Sequence, residues 1–179
     1  MKKIVLLSFL LCATTLFAQE KMITKTGKIT FEATVPSFEE VKAKNDGATF
    51  ILNAKTGEVA SLALMKGFRF KIALMEEHFN ENYVESDKFP KATFKGKIEN
   101  FDVKLLTDKP KDFTIKGKLE LHGKSKDITS TAKIRKTDAG IEIISNFSVN
   151  ASDFDISIPN VVKNKVSNKI DIKSEFTVK

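Results

Sequence analysis

The chain has 179 residues, with 30 lysines and arginines against 23 aspartates and glutamates, and a formal net charge of +7 at pH 7. The basic residues are dispersed along the chain and do not cluster with aromatic residues, so we expect no nucleic-acid-binding surface. The single cysteine, Cys12, excludes an intramolecular disulfide bond.

The first predicted element is a secretory signal peptide over residues 1–18. A basic start (MKK) precedes an apolar run over residues 4–17, and the small residue Ala18 precedes a polar segment, which is the order typical of such peptides. Cleavage there would remove Cys12 and leave no thiol for catalysis or for a thiolate metal site. We therefore expect a periplasmic or secreted protein with a single domain over residues 19–179.

Alternation of apolar and polar residues dominates the rest of the chain, and it predicts β-strands with one dry face and one charged face. In residues 113–121, for example, Phe113, Ile115, Gly117, Leu119 and Leu121 alternate with polar residues. The predicted strands lie near residues 24–35, 49–54, 58–64, 67–73, 92–106, 113–122, 127–136, 140–152 and 168–178.

Turn-forming segments separate several of these strands. They are Lys55-Thr56-Gly57, His122-Gly123-Lys124 and Thr137-Asp138-Ala139-Gly140, and each predicts an antiparallel hairpin. Eight strands, or nine, in one domain favour a closed antiparallel barrel, because closure leaves no exposed strand edges. The predicted fold class is therefore all-β.

One segment departs from the alternation. Met75, Phe79 and Tyr83 lie four residues apart among polar residues, which predicts a short amphipathic helix near residues 74–83. Pro90 disfavours helical geometry at Phe89, so the next strand should begin in an extended conformation just after it.

Residues that could carry catalysis or hold a metal ion are few. The two histidines, His78 and His122, are far apart in sequence and lack metal-ligand spacing, and the chain has neither a G-x-S-x-G motif nor a glycine-rich phosphate loop. We predict that the protein is not an enzyme and holds no metal ion or cofactor. We expect His122 to face outward from a loop and His78 to cap or rim the helix. An enzyme that uses His122 at the barrel mouth stays an alternative.

The dry faces allow two kinds of barrel interior. A barrel of about eight strands can fill itself with side chains or leave room for one small ligand. Small residues at central inward positions favour a cavity; these are Gly96, Gly117, Ser130, Ala132 and Ser174. Strands of about ten residues are roughly 33 Å long, which suits an extended apolar chain.

The charged faces argue against a barrel that spans a membrane. Lipid-facing positions of such a barrel must be apolar, whereas here one face carries many basic residues: Lys95, Lys97, Lys116, Lys118, Lys133, Arg135 and Lys173. We therefore expect a water-soluble barrel.

Three stretches together resemble signatures of the YceI-like family. They are HFNENYVESDKFPKATFKGKI from His78, FTIKGKLELHGKSKDITSTAKI from Phe113 and FSVNASDFDI from Phe147. The chain departs from the family at its start, where the usual W-x-I-D-x-x-H-S opening is absent. The resemblance implies a periplasmic, lipocalin-like extended barrel that holds a long polyisoprenoid or a similar lipid in a central tunnel. Carried over to this chain, it implies a tunnel lining of Phe79, Phe89, Phe94, Ile98, Phe113, Ile115, Leu119, Phe147, Val149 and Phe154.

These observations lead to two main hypotheses. The first is an envelope protein that binds a long apolar ligand, a polyisoprenoid or another isoprenoid or fatty-acyl lipid, inside a β-barrel for carriage or sequestration. The alternative is a structural or interaction module whose barrel is filled and holds no ligand. The expected partner is an apolar lipid and not a nucleic acid. Peripheral contact with a membrane surface is an open question, as is the oligomeric state, a homodimer included.

Overall fold

The computed structural model describes residues 21–179, so the signal peptide predicted over residues 1–18 lies outside the described residues. Nine strands make up most of this range, and they are β1 (Lys21–Thr34), β2 (Lys42–Asn53), β3 (Glu58–Leu64), β4 (Arg69–Phe70), β5 (Lys91–Ile98), β6 (Lys111–Leu121), β7 (Lys124–Thr137), β8 (Gly140–Asn150) and β9 (Val166–Val178).

Helical structure is concentrated between β4 and β5. Helix α1 (Ala73–His78) continues into a π-helical turn over Phe79–Tyr83, which confirms the helix predicted near residues 74–83. Short 3₁₀ turns occur over Met65–Gly67, Val103–Leu105, Ala151–Phe154 and Asn160–Val162. Strand β5 begins directly after Pro90, as its effect on the preceding residue predicts.

Eight of the strands close an antiparallel barrel. Their order around the barrel is β1-β9-β8-β7-β6-β5-β3-β2, and pairing of β1 with β2 closes the ring. The ninth strand, β4, pairs with the start of β2 outside this ring. The predicted fold class, an antiparallel barrel of eight strands with a ninth in question, is confirmed.

The predicted hairpins β2–β3, β6–β7 and β7–β8 are all present. His122 and Gly123 join β6 to β7 with φ angles of 51° and 72°. Two positive φ angles in a two-residue connection are the requirement of a type I′ turn, whose twist matches that of the flanking strands.

Two of the predicted strands are much longer than the observed ones. The strand predicted over 67–73 is only two residues long, because a 3₁₀ turn ends at Gly67 and α1 begins at Ala73. The strand predicted over 92–106 ends at Ile98, since Asn100 adopts a φ of 52° that takes the chain out of the sheet.

Two of the small inward residues expected to favour a cavity, Gly96 and Gly117, have a different role. Gly96 and Gly117 face each other across β5 and β6. A Cβ atom on Gly117 would lie 2.4 Å from the Lys95 carbonyl oxygen and 2.6 Å from the Phe94 ring. These glycines therefore allow close approach of two strands beneath an aromatic ring, and they do not open space in the barrel.

The interior has two different halves. Around the ends of the β2–β3 and β7–β8 hairpins the barrel is filled by side chains with no exposed surface, including Leu52, Ile98, Ile134 and Val178. The connections β1–β2, β4–β5, β6–β7 and β8–β9 lie at the opposite end, and the candidate site opens there. Within residues 21–179, no helix has the length and apolar character needed to cross a membrane.

Candidate functional site

An apolar cavity of about 410 Å³ occupies the unfilled half of the barrel. Its size is within the range of about 300–1,000 Å³ that is typical of ligand pockets. The alternation of each strand supplies the wall, because every second side chain points inward. Strand β8, for example, contributes Ile143, Ser145, Phe147 and Val149.

Phe50 and Phe176 form much of the cavity floor. Their rings stack with centroids 4.3 Å apart and an interplanar angle of 18°, and both residues are almost completely buried. Gly27 on β1 makes this packing possible, since a Cβ atom there would lie 2.3 Å from the Phe176 ring. The floor therefore separates the cavity from the filled half of the barrel.

Three segments surround the mouth of the cavity. The connection at 35–41 contributes Phe38 and Glu39, helix α1 contributes His78, and the connection at 155–165 contributes Val162 and Lys165. Charged and titratable side chains thus stand at the rim, whereas the wall below is almost entirely apolar.

A cluster of four phenylalanines lines one side of the upper wall. Phe31 on β1 lies 5.3 Å from Phe68, 5.7 Å from Phe70 and 5.3 Å from Phe79, measured between ring centroids. Tilted and edge-to-face geometries at these distances are favourable for aromatic pairs. The cluster attaches the π-helical turn to the barrel wall.

Helix α1 is positioned by a carboxylate in its first turn. The two oxygens of Glu76 accept hydrogen bonds from Arg69 Nη1 at 2.9 Å and from the Phe70 backbone N–H at 3.1 Å. With the helix held against β4, Met75 and Tyr83 face the cavity. His78 stands at the end of α1 beside the mouth, as expected of a residue that rims the helix.

His122 does not face outward, and that prediction is wrong. Only 10% of its side chain is exposed, because the segment around Glu85 and the segment around Phe154 fold over the β6–β7 turn. Its Nε2 lies 2.9 Å from Glu85 Oε2 and its Nδ1 lies 2.9 Å from the Phe154 carbonyl oxygen. The Phe89 ring packs edge-on against the imidazole. His122 thereby connects three of the segments at this end of the barrel.

Lys124 and Asp155 add an ion pair beside this contact, with 2.8 Å between Nζ and Oδ2. The hydrogen bond from Lys124 lowers the pKa of the Asp155 carboxyl.

Among residues 21–179, no three His, Cys, Asp or Glu side chains are grouped so that they could hold a metal ion.

The structure brings seven of the ten predicted lining residues onto the cavity wall. They are Phe79, Phe94, Ile115, Leu119, Phe147, Val149 and Phe154. The other three lie elsewhere: Ile98 and Phe113 belong to the filled half of the barrel, and Phe89 packs against His122. Contact of any of the ten with a ligand stays a prediction.

Sequence reasoning missed the aromatic residues that precede α1. Phe31, Phe68 and Phe70 line the cavity, but they come from β1, from the segment before β4 and from β4. They meet only because the chain between β3 and β5 folds over the barrel. The available signal for an aromatic wall was the abundance of phenylalanine, with 15 phenylalanines and no tryptophan in the chain.

Several solved structures share this architecture. The chain resembles the structure of a polyisoprenoid binding domain from Saccharophagus degradans that is implicated in plant cell wall breakdown, with a TM-score of 0.75 at 13% identity over 89% of this chain and 98% of that one. It also resembles Burkholderia cenocepacia BcnA, with a TM-score of 0.70 at 14% identity over 86% and 96% of the two chains.

A Campylobacter jejuni YceI protein is similar at a TM-score of 0.54, with 19% identity over 74% of this chain and 81% of that one. At these identities the structural likeness shows a shared fold. No curated protein sequence matches the chain. The model of the YceI-like domain matches residues 14–178, nearly the whole chain. The chain therefore belongs to the YceI-like family.

Proposed function

We propose that this protein binds a long apolar lipid inside its barrel and carries or sequesters it in the cell envelope. The observation that carries the proposal is the cavity, whose wall below the mouth holds no charged side chain among the described residues. The alternative, a barrel filled throughout by side chains, does not account for this cavity.

The size of the cavity sets the scale of binding. At about 30 Å³ for a group of water size, 410 Å³ holds on the order of 14 chain atoms. Burial of each methylene contributes about 0.8 kcal/mol, so such a chain gains roughly 11 kcal/mol before the costs of association. A longer chain that continues through the mouth would add to this gain.

Family membership and the fold support the proposed ligand class. A similar structure is that of a polyisoprenoid binding domain, and we extend this ligand class to the present chain. The apolar start of the sequence supports export of the protein to the envelope, where such lipids would be met. We infer a binding protein and not an enzyme, since His122 is engaged by Glu85 and Phe154 and does not line the cavity.

The rim of the mouth suits contact with an anionic membrane surface. Val161 and Phe38 are 86% and 46% exposed, and Lys163 and Lys165 form no ion pair within residues 21–179. Lysines near an anionic surface contribute about 1 kcal/mol each. Co-sedimentation with anionic vesicles should therefore decrease in Val161→Asp and at high salt, and equal sedimentation of that variant would contradict this contact.

Lipid uptake by delipidated protein tests the proposed function. Protein is extracted with organic solvent and refolded, incubated with a polyprenol, separated from free lipid and analysed by mass spectrometry. We expect retention of about one lipid per chain, since one cavity of this size accommodates one ligand. Refolded protein that retains no polyprenol would overturn the proposal.

A further inference from the structure

Four serines interrupt the apolar wall of the cavity, Ser61 on β3 and three more that lie deep in the cavity on three adjacent strands. Ser130 lies on β7, Ser145 on β8 and Ser174 on β9, and all three line the cavity. Ser145 and Ser174 are directly paired across the two strands, and the Oγ atoms of Ser145 and Ser130 are 3.1 Å apart. The three hydroxyls therefore form one polar spot, here called the serine site.

The serine site lies immediately above the floor. Two residues further toward the filled half, β8 and β9 contribute Ile143 and Phe176 to the cavity, and two residues toward the mouth they contribute Phe147 and Ile172. Apolar side chains thus border the site on both sides, and it is the end of the cavity that an entering ligand reaches last.

The hydrogen bonds of the three hydroxyls are incomplete. Each serine has one O–H donor. Ser145 lies within hydrogen-bond distance of Ser130 Oγ and of the Thr131 carbonyl oxygen. Ser174 is only 8% exposed, yet its hydroxyl has no hydrogen-bond partner among the described residues. Among the described residues, Asn80 Oδ1 is the fully buried side-chain atom without a partner. The Ser174 hydroxyl instead reaches the open cavity, where a ligand can accept its hydrogen bond.

The surroundings select against a charged ligand group at this depth. The charged side chains that border the cavity, Glu39 and Lys165, stand at the mouth. A phosphate or carboxylate carried down to the serine site would be buried without an opposite charge, which is costly. A carbonyl, hydroxyl or ether oxygen needs only a hydrogen bond, which a serine can donate.

We propose that the serine site binds an uncharged oxygen-bearing group of the lipid, which enters first, so that the apolar chain extends from it toward the mouth. This inference rests on the proposed function and specifies its ligand as an apolar chain with a neutral hydrogen-bond acceptor. Ser174 donates the hydrogen bond, and Ser130 and Ser145 support it.

Two probes of equal chain length test the inference, namely 2-heptadecanone and heptadecane. The measured quantity is the ratio of the alkane Kd to the ketone Kd, which cancels changes in apolar packing. In S130A/S145A/S174A the ratio should fall about threefold to tenfold relative to the unmodified protein, as expected for loss of one or more hydrogen bonds. Ser148→Ala is the matched control, because Ser148 is exposed on the outer face of β8, and it should leave the ratio unchanged.

Ser174→Ala alone protects the test against misfolding. Its hydroxyl has no protein partner, so the fold should be retained and the ratio should still fall at least about twofold. An unchanged ratio in both variants would overturn the serine site while leaving lipid binding intact. Failure of the unmodified protein to bind either probe would instead overturn the proposed function, and the serine site with it.

Discussion

Replacing Leu119 by aspartate should abolish lipid binding while the barrel stays folded. Leu119 is 9% exposed on β6 and packs in one cluster with Val149 and Phe154. Its side chain lines the cavity, so an aspartate there would place a carboxylate against the bound chain. In the empty cavity water can solvate this carboxylate, but an apolar ligand would displace that water.

The loss of binding free energy can be estimated from protonation of the aspartate, which is the way of avoiding a buried charge that costs the least free energy. An aspartate with an ordinary pKa of about 3.9 must be protonated at pH 7, and at about 1.36 kcal/mol per pH unit this costs roughly 4 kcal/mol. That cost corresponds to about a thousandfold weaker binding. Affinity should recover about tenfold for each unit by which the pH is lowered toward 5.

Lys118→Asp is the matched control, since it introduces the same residue at the neighbouring, exposed position of the same strand. Titration with a polyprenol, followed by native mass spectrometry, gives the affinities, and circular dichroism checks the fold of both variants. A folded Leu119→Asp protein that binds lipid as tightly as Lys118→Asp would refute the assignment of this cavity as the binding site.

Three further predictions concern stability, each measured by urea unfolding. Gly117→Ala should lower the free energy of unfolding by about 1–3 kcal/mol, because its Cβ would meet the Lys95 carbonyl oxygen at 2.4 Å, and an unchanged midpoint would contradict this close approach. His122→Asn should lower the free energy of unfolding by about 1.5–3 kcal/mol, because asparagine tolerates the positive φ but loses the two hydrogen bonds of the imidazole. Equal stability of this variant would show that the two hydrogen bonds contribute nothing. Hydrogen bonding to Lys173 lowers the pKa of Glu175 below its ordinary value of 4.5, so its contribution is fully present above pH 4.5 and is lost as the pH falls through the lowered pKa. Glu175→Gln should therefore flatten the acid loss of stability, and an identical pH dependence would contradict this.

The long strands could be predicted from the sequence because their two faces differ in polarity. In β6, β8 and β9 buried and exposed residues alternate almost without interruption, and a period of two has no other simple structural explanation. Strand β2 was recognised only from Thr49, although it begins at Lys42. Its earlier inward positions are Ala43 and Asn45, which carry too little hydrophobicity to reveal the pattern.

The candidate site was less predictable because it depends on contacts between distant segments. Inward positions on the matched strands could be identified from alternation. Three of the positions identified in this way, Leu119, Phe147 and Val149, do lie on the cavity wall. Alternation does not tell which end of a barrel is filled, so Ile98 and Phe113 were placed with the lining although they pack in the filled half. The burial of His122 likewise depends on two segments that fold over it from 37 and 32 residues away.

The central claim is that the cavity holds an apolar lipid in the cell, and co-purification tests it most directly. The full chain would be expressed with export to a periplasm, purified without detergent and examined by native mass spectrometry before and after organic extraction. We predict an additional mass on the native protein that disappears on extraction and reappears in the organic phase as an isoprenoid or acyl-chain lipid. A native mass equal to that of the protein alone, with no uptake of added polyprenyl lipid, would contradict the claim and favour a barrel that works without a ligand.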